Sequence, residues 1–108
     1  PTLCISSMEM ASKIATYLNN NIDNLIWIGC NKILPNWRGT YWRDRPEDLN
    51  VIAEYSTEME KIFDLSVSIL DWDESDIKKY TSDNIHPSTE GFRVIEQRIK
   101  SIIASKQV

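Results

Sequence analysis

The sequence predicts an α/β fold built on a short parallel sheet. Two observations predict it. Short apolar runs suited to buried strands occur at 2–6, 24–30 and 66–71. Stretches with apolar residues at helical spacing separate these runs and close the chain. The order is therefore strand, helix, strand, helix, strand, helix, which calls for right-handed crossovers between parallel strands.

Each element has its own signal. Thr2-Leu3-Cys4-Ile5-Ser6 reads as a buried strand. From Ser7 the period changes, and Ala11, Ile14, Ala15 and Leu18 fall on one helical face. Ser7 is suited to cap that helix, with Met10 where a capping glutamate would stand. Asn19-Asn20-Asn21 should end it, because asparagine favours turns. In Asn24–Cys30, four consecutive apolar residues lead to Gly29, which suits a central strand covered on both faces.

A long segment rich in large side chains follows, from Asn31 to Asp44, with Trp37, Arg38, Tyr41, Trp42 and Arg43. Loops of this length in small domains are often functional. Arg45-Pro46-Glu47-Asp48 resembles the first turn of a helix, with proline early and acids at the positive end of the dipole. Leu49, Ile52, Ala53, Ser56, Met59, Ile62 and Phe63 give its apolar stripe. Ser66–Asp71 is the third strand, and an acidic loop with Asp71, Asp73, Glu74 and Asp76 comes after it. Ser88-Thr89-Glu90-Gly91 opens a last helix whose buried face is Phe92, Ile95, Ile99, Ile102 and Ile103. Three strands would leave two open edges, so a companion chain is expected to complete the sheet, or the chain to be part of a larger domain.

Composition narrows the function. At 108 residues the chain is one domain, or a portion of one. A net charge of −4 argues against nucleic acid as the main partner. No apolar run reaches the ~20 residues of a membrane span. No charged-then-apolar leader is visible, and a start at Pro1 suggests a processed or partial chain. Cys4 and Cys30 each lie in or at the end of an apolar run and read as buried free thiols. The acidic loop lacks the glycine and distal glutamate of a calcium loop, and one histidine is too few for a histidine-based zinc site. No metal and no cofactor is therefore expected, and the acids read as a solvated loop. The aromatic–arginine loop reads either as a platform for substrate or partner, or as packing against the sheet edge.

The chemistry concentrates in Asp83-Asn84-Ile85-His86-Pro87-Ser88, which holds the only histidine. A lone imidazole near a carboxylate, at a loop-to-helix junction, suits a general base. The rival reading is a surface histidine with an incidental acid. The block Asp-x-x-His-Pro-Ser, followed by Gly91-Phe92 and an amphipathic helix, resembles the last conserved block of the SGNH (GDSL-type) esterase and lipase superfamily. The resemblance spans roughly 25–103 and is specific only in that block.

The resemblance implies flavodoxin-like α/β/α layers and hydrolysis of carboxylic esters, here from an incomplete or C-terminal portion of such a domain. It implies His86 as the base that deprotonates a serine, and Asp83 as the residue that orients the imidazole. The expected substrate is a small acyl or acetyl ester, a lipid or an acylated sugar. The chain departs from the family in having no Gly-Asp-Ser nucleophile block. Ser6 and Ser7 mimic the nucleophile's setting, but Met8-Glu9 does not continue the family pattern. The serine is thus expected outside this chain. Gly29-Cys30-Asn31 fits part of the family's oxyanion block, making Asn31 a candidate amide donor. In a second register, 25–30 is the following strand, and 2–7 is what remains of that block. The alternative function is a non-catalytic SGNH-like module for binding or assembly.

Overall fold

A computed structural model describes residues 7–43 and 49–106. The strand expected at 2–6 and the helix start expected at 45–48 lie outside the described residues. The described chain is mixed α/β and mostly helical: α1 (Met8–Asn21), β1 (Trp27–Ile28), α2 (Asn50–Ile62), β2 (Ser66–Val67), α3 (Glu74–Tyr80) and α4 (Thr89–Lys106). Among the described residues the sheet has two parallel strands, with Trp27 opposite Ser66 and Ile28 opposite Val67.

The helices begin and end where local chemistry dictates. Ser7 caps α1, its Oγ accepting from Met10 N at 3.2 Å. The helix ends at Asn21, within the asparagine run. The expected acidic loop is instead the start of a helix. Asp73 caps α3 in a reciprocal box: its side chain accepts from Asp76 N (2.8 Å), while Asp76 accepts from Asp73 N (3.2 Å). Asp71 is held by both arms of Arg98 at 2.9 and 3.2 Å, and this contact keeps its carboxyl below the usual range. These acids serve caps and an ion pair. No cluster of three metal-ligating side chains occurs among the described residues, and no described helix is long and apolar enough to cross a membrane.

Neighbouring residues of the segment before β1 join different clusters. Leu25 and Trp27 pack with Ala11, Ala15, Met59 and Phe63 from α1 and α2. Ile26 packs with Val67, Ile69, Trp72, Ile77 and Ile95, which draw on α3 and α4. That is the period of a strand buried on two sides. Trp27 stacks flat on Phe63, with centroids 5.4 Å apart.

The burial expected from periodicity is only partly met. Ala11, Ala15, Met59 and Ile95 are buried as expected, but Ile14, Ile28, Phe92 and Ile103 are exposed. β1 is therefore not the fully covered central strand that its composition suggests. The ladder explains why. Trp27 N donates to Leu65 O (2.9 Å) and Gly29 N to Val67 O (3.1 Å). In a parallel pair the intervening residue turns its peptide groups the other way, so the N–H and C=O of Ile28 point to an edge that no described strand pairs, and β1 is an edge strand among the described residues.

Candidate active site

The Asp83–His86 pair sits on a short hairpin between α3 and α4. The hairpin is closed by an antiparallel bridge between Thr81 and Pro87. Ser82 N donates to His86 O at 3.0 Å. At its base, Thr81 ends α3 and donates through both N and Oγ1 to Ile77 O (3.0 and 2.7 Å). At its exit, Ser88 Oγ donates to Lys79 O (2.9 Å) and accepts from Gly91 N (3.2 Å). One hydroxyl thus closes one helix and opens the next.

Within the turn, Asp83 Oδ1 accepts from Ile85 N (3.1 Å) and His86 N (2.7 Å). This is the local backbone capture that aspartate favours. It leaves Oδ2 to meet His86 Nδ1 at 2.7 Å. The carboxylate is inside, 8 % exposed, whereas the histidine side chain is 73 % exposed. Burial opposes ionisation of Asp83. The bonds from the His86 backbone and ring and from Ile85 N outweigh it and hold the carboxyl at about 2. Asp83 is therefore ionised across the neutral range. With a carboxylate on Nδ1, the ring carries its proton there and Nε2 is left as the basic atom. Among the described residues no serine hydroxyl is hydrogen-bonded to the His86 ring. Ser7, one of the serines considered as a nucleophile, is committed to the cap of α1, and Ser6 lies outside the described residues.

Asn31, the candidate oxyanion donor, lies beside the hairpin. Its side chain is buried, and Nδ2 donates to Lys32 O (2.8 Å) and Asn84 O (3.0 Å). Both amide hydrogens are committed to backbone carbonyls, so none is left for a substrate oxygen.

The residue that sequence reasoning missed is Asn84. It is 1 % exposed and stands at φ +76°, in the left-handed region. Its Nδ2 donates to Leu34 O (2.8 Å) and Trp37 O (2.9 Å), and its Oδ1 accepts from Leu34 N (3.0 Å). Its own N donates to Thr81 Oγ1 at 3.1 Å. Thr40 adds two bonds, from N (2.9 Å) and Oγ1 (3.1 Å), to Ser82 O. The long loop after β1 is thereby pinned to the hairpin. The loop also presents Trp42, 73 % exposed, with the Arg43 guanidinium 4.1 Å from its ring centroid. The one signal for Asn84 in the sequence is its type, since asparagine tolerates the left-handed region.

A concavity of about 500 Å³ lies at the carboxyl end of β1, between Ile28–Cys30 and the first turns of α2. Ser56 Oγ there accepts from Cys30 N at 3.1 Å. Burial pushes the Cys30 thiol up, against the opposing bond from Ser56, which disfavours the thiolate. No family model, curated protein or solved structure matches the chain.

Proposed function

We propose that this chain is the histidine-bearing part of an SGNH-type carboxylic-ester hydrolase, belonging to a flavodoxin-like layered domain. The observation that carries the reading is the 2.7 Å contact between Asp83 Oδ2 and His86 Nδ1, on a ring whose other edge is open to solvent. In this reading Nε2 takes the proton of a serine hydroxyl as it attacks the ester carbonyl. Asp83, already ionised, stabilises the imidazolium that forms. The ring then returns the proton to the leaving alkoxide. The serine comes from outside this chain, on a companion chain that also completes the sheet. The substrate is a small acyl or acetyl ester, a lipid or an acylated sugar.

The test is ester turnover by the complete assembly, comparing wild type with His86→Ala. Removing the base should lower kcat by about 10³-fold or more. Equal turnover of short acyl esters by the two proteins would end the proposal.

A second reading is a non-catalytic binding or assembly module. The observation that favours it is the edge of β1 that no described strand pairs, beside an apolar groove. A Gly-Asp-Ser block encoded ahead of Pro1, or carried by a co-assembling chain, supports the enzyme. Its absence from both supports the module.

A further inference from the structure

We infer that Asn84 is the positioning residue of the Asp83–His86 pair, and that it makes the loop after β1 a fixed wall of that site. The inference takes its functional meaning from the dyad proposed above, but it stands on geometry of its own.

Asn84 lies between the two members of the pair, and its backbone conformation sets the shape of the turn in which they meet. The peptide that follows it carries Ile85 N, which donates to Asp83 Oδ1. The next peptide carries His86 N, which donates to the same oxygen. In this turn both peptides face the carboxylate with residue 84 at positive φ. For a non-glycine residue that conformation is disfavoured and must be held by its surroundings. Here every polar atom of Asn84 is held. The side chain bonds Leu34 and Trp37, the backbone N bonds Thr81 Oγ1, and the carbonyl accepts from Asn31. The far partners lie 47 to 53 residues away in sequence. A contact that fixes the local turn is therefore the same one that fixes the distant loop.

The loop is held at a second point. Thr40 bonds Ser82 O, two residues before Asn84. Consecutive Cα atoms are about 3.8 Å apart, so Trp42 begins within roughly 8 Å of that anchor. The stacked Trp42 and Arg43 are thus held near the hairpin by bonds that converge on Ser82 and Asn84.

Asn84→Gly keeps the left-handed conformation accessible and deletes the side-chain bonds. Asn84→Asp keeps the acceptor for Leu34 N and loses the two donors. Two measurements on the chain itself decide. The first is amide hydrogen exchange at Leu34 and through the loop. The second is the ¹⁵N shifts of the single imidazole, which report the fraction with the proton on Nδ1.

In Asn84→Gly, loop exchange should rise by about 10- to 1,000-fold, as for loss of two or three buried bonds. The imidazole should move from one dominant tautomer toward a mixture, and Asn84→Asp should fall between. α4 exchange should stay as in wild type. The inference is overturned if the loop loosens while the imidazole keeps its tautomer, because Asn84 would then only hang the loop. It is also overturned if neither changes, or if α4 loosens as much as the loop. Because these readouts need no turnover, they stay separate from the test of catalysis. If His86→Ala leaves ester turnover intact, the dyad reading fails and the exchange and tautomer results still decide the role of Asn84.

Discussion

Two regions at the ends of the strands are built to different standards. In the 81–88 hairpin the Asn84 side chain, the Asp83 carboxylate and the Ser88 hydroxyl are all hydrogen-bonded, and several partners are far away in sequence. Beside β1, Ile28, Val51 and Ile52 are exposed, and the buried Trp27 Nε1 and Glu60 Oε1 lack hydrogen-bond partners. A buried polar atom without a partner costs about 1–3 kcal/mol, and an exposed apolar patch marks surface that something else covers. The hairpin is finished within the chain. The β1 edge leaves apolar side chains exposed and buried polar atoms unpaired among the described residues.

Substitutions sharpen this contrast. The largest stability effect is expected at Gly39, where the loop meets the hairpin. Its φ is +51°, and a Cβ there would overlap the Ser82 carbonyl oxygen, a backbone atom with little room to move. Gly39→Ala should cost about 2–4 kcal/mol, from overpacking plus left-handed strain, read from denaturant midpoints. A midpoint within error of wild type would mean that the loop is not seated on the hairpin.

Acid should come next. The Asp83 carboxyl, at about 2 when folded, lies below the value of about 4 for an unfolded chain. On acidification the unfolded chain takes up this proton first. The contribution of roughly 2 kcal/mol is thus full above about pH 5 and is lost as pH falls from about 4 to 2. Asp83→Asn should remove that segment of the stability–pH curve. An unchanged curve would contradict the tight carboxylate.

Gly29→Ala probes the other region. There a Cβ would first meet Ser56 Oγ, which would have to release Cys30 N, and then Glu60 Oε1, both side-chain rather than backbone atoms. The cost should be about 1 kcal/mol, clearly below that at Gly39. A larger cost would make the groove as rigid as the hairpin. Ile28→Lys should be the mildest, within about 0.5 kcal/mol for the chain alone, because the side chain is 46 % exposed. The same substitution should abolish assembly if a companion strand lies along this edge, as analytical ultracentrifugation of the mixed chains would read.

The sequence made local features legible and long-range ones opaque. Helical periodicity located α1, α2 and α4, Ser7 announced its own cap, and the Asp83–His86 spacing brought the pair together across one turn. α3 escaped notice because seven residues show too little periodicity, although the Asp73 and Asp76 of its capping box were in view. β1 and β2 were overestimated in length, because apolar runs record burial whereas strand limits record pairing. The bond from Asn31 to Asn84 O, 53 residues on, could not be inferred from neighbours. Asn84 was hidden for the same reason. Its role is set by Leu34 and Trp37, which no local pattern connects to it.

The doubly bonded hydroxyl of Ser88 has a consequence for cooperativity. Since one oxygen closes α3 on Lys79 O and opens α4 on Gly91 N, it ties the end of one helix to the start of the other. The last turn of α3 and the first turn of α4 should therefore open together. The amides of Thr81 and Gly91, ten positions apart, should exchange at a common rate, and Ser88→Ala should separate them.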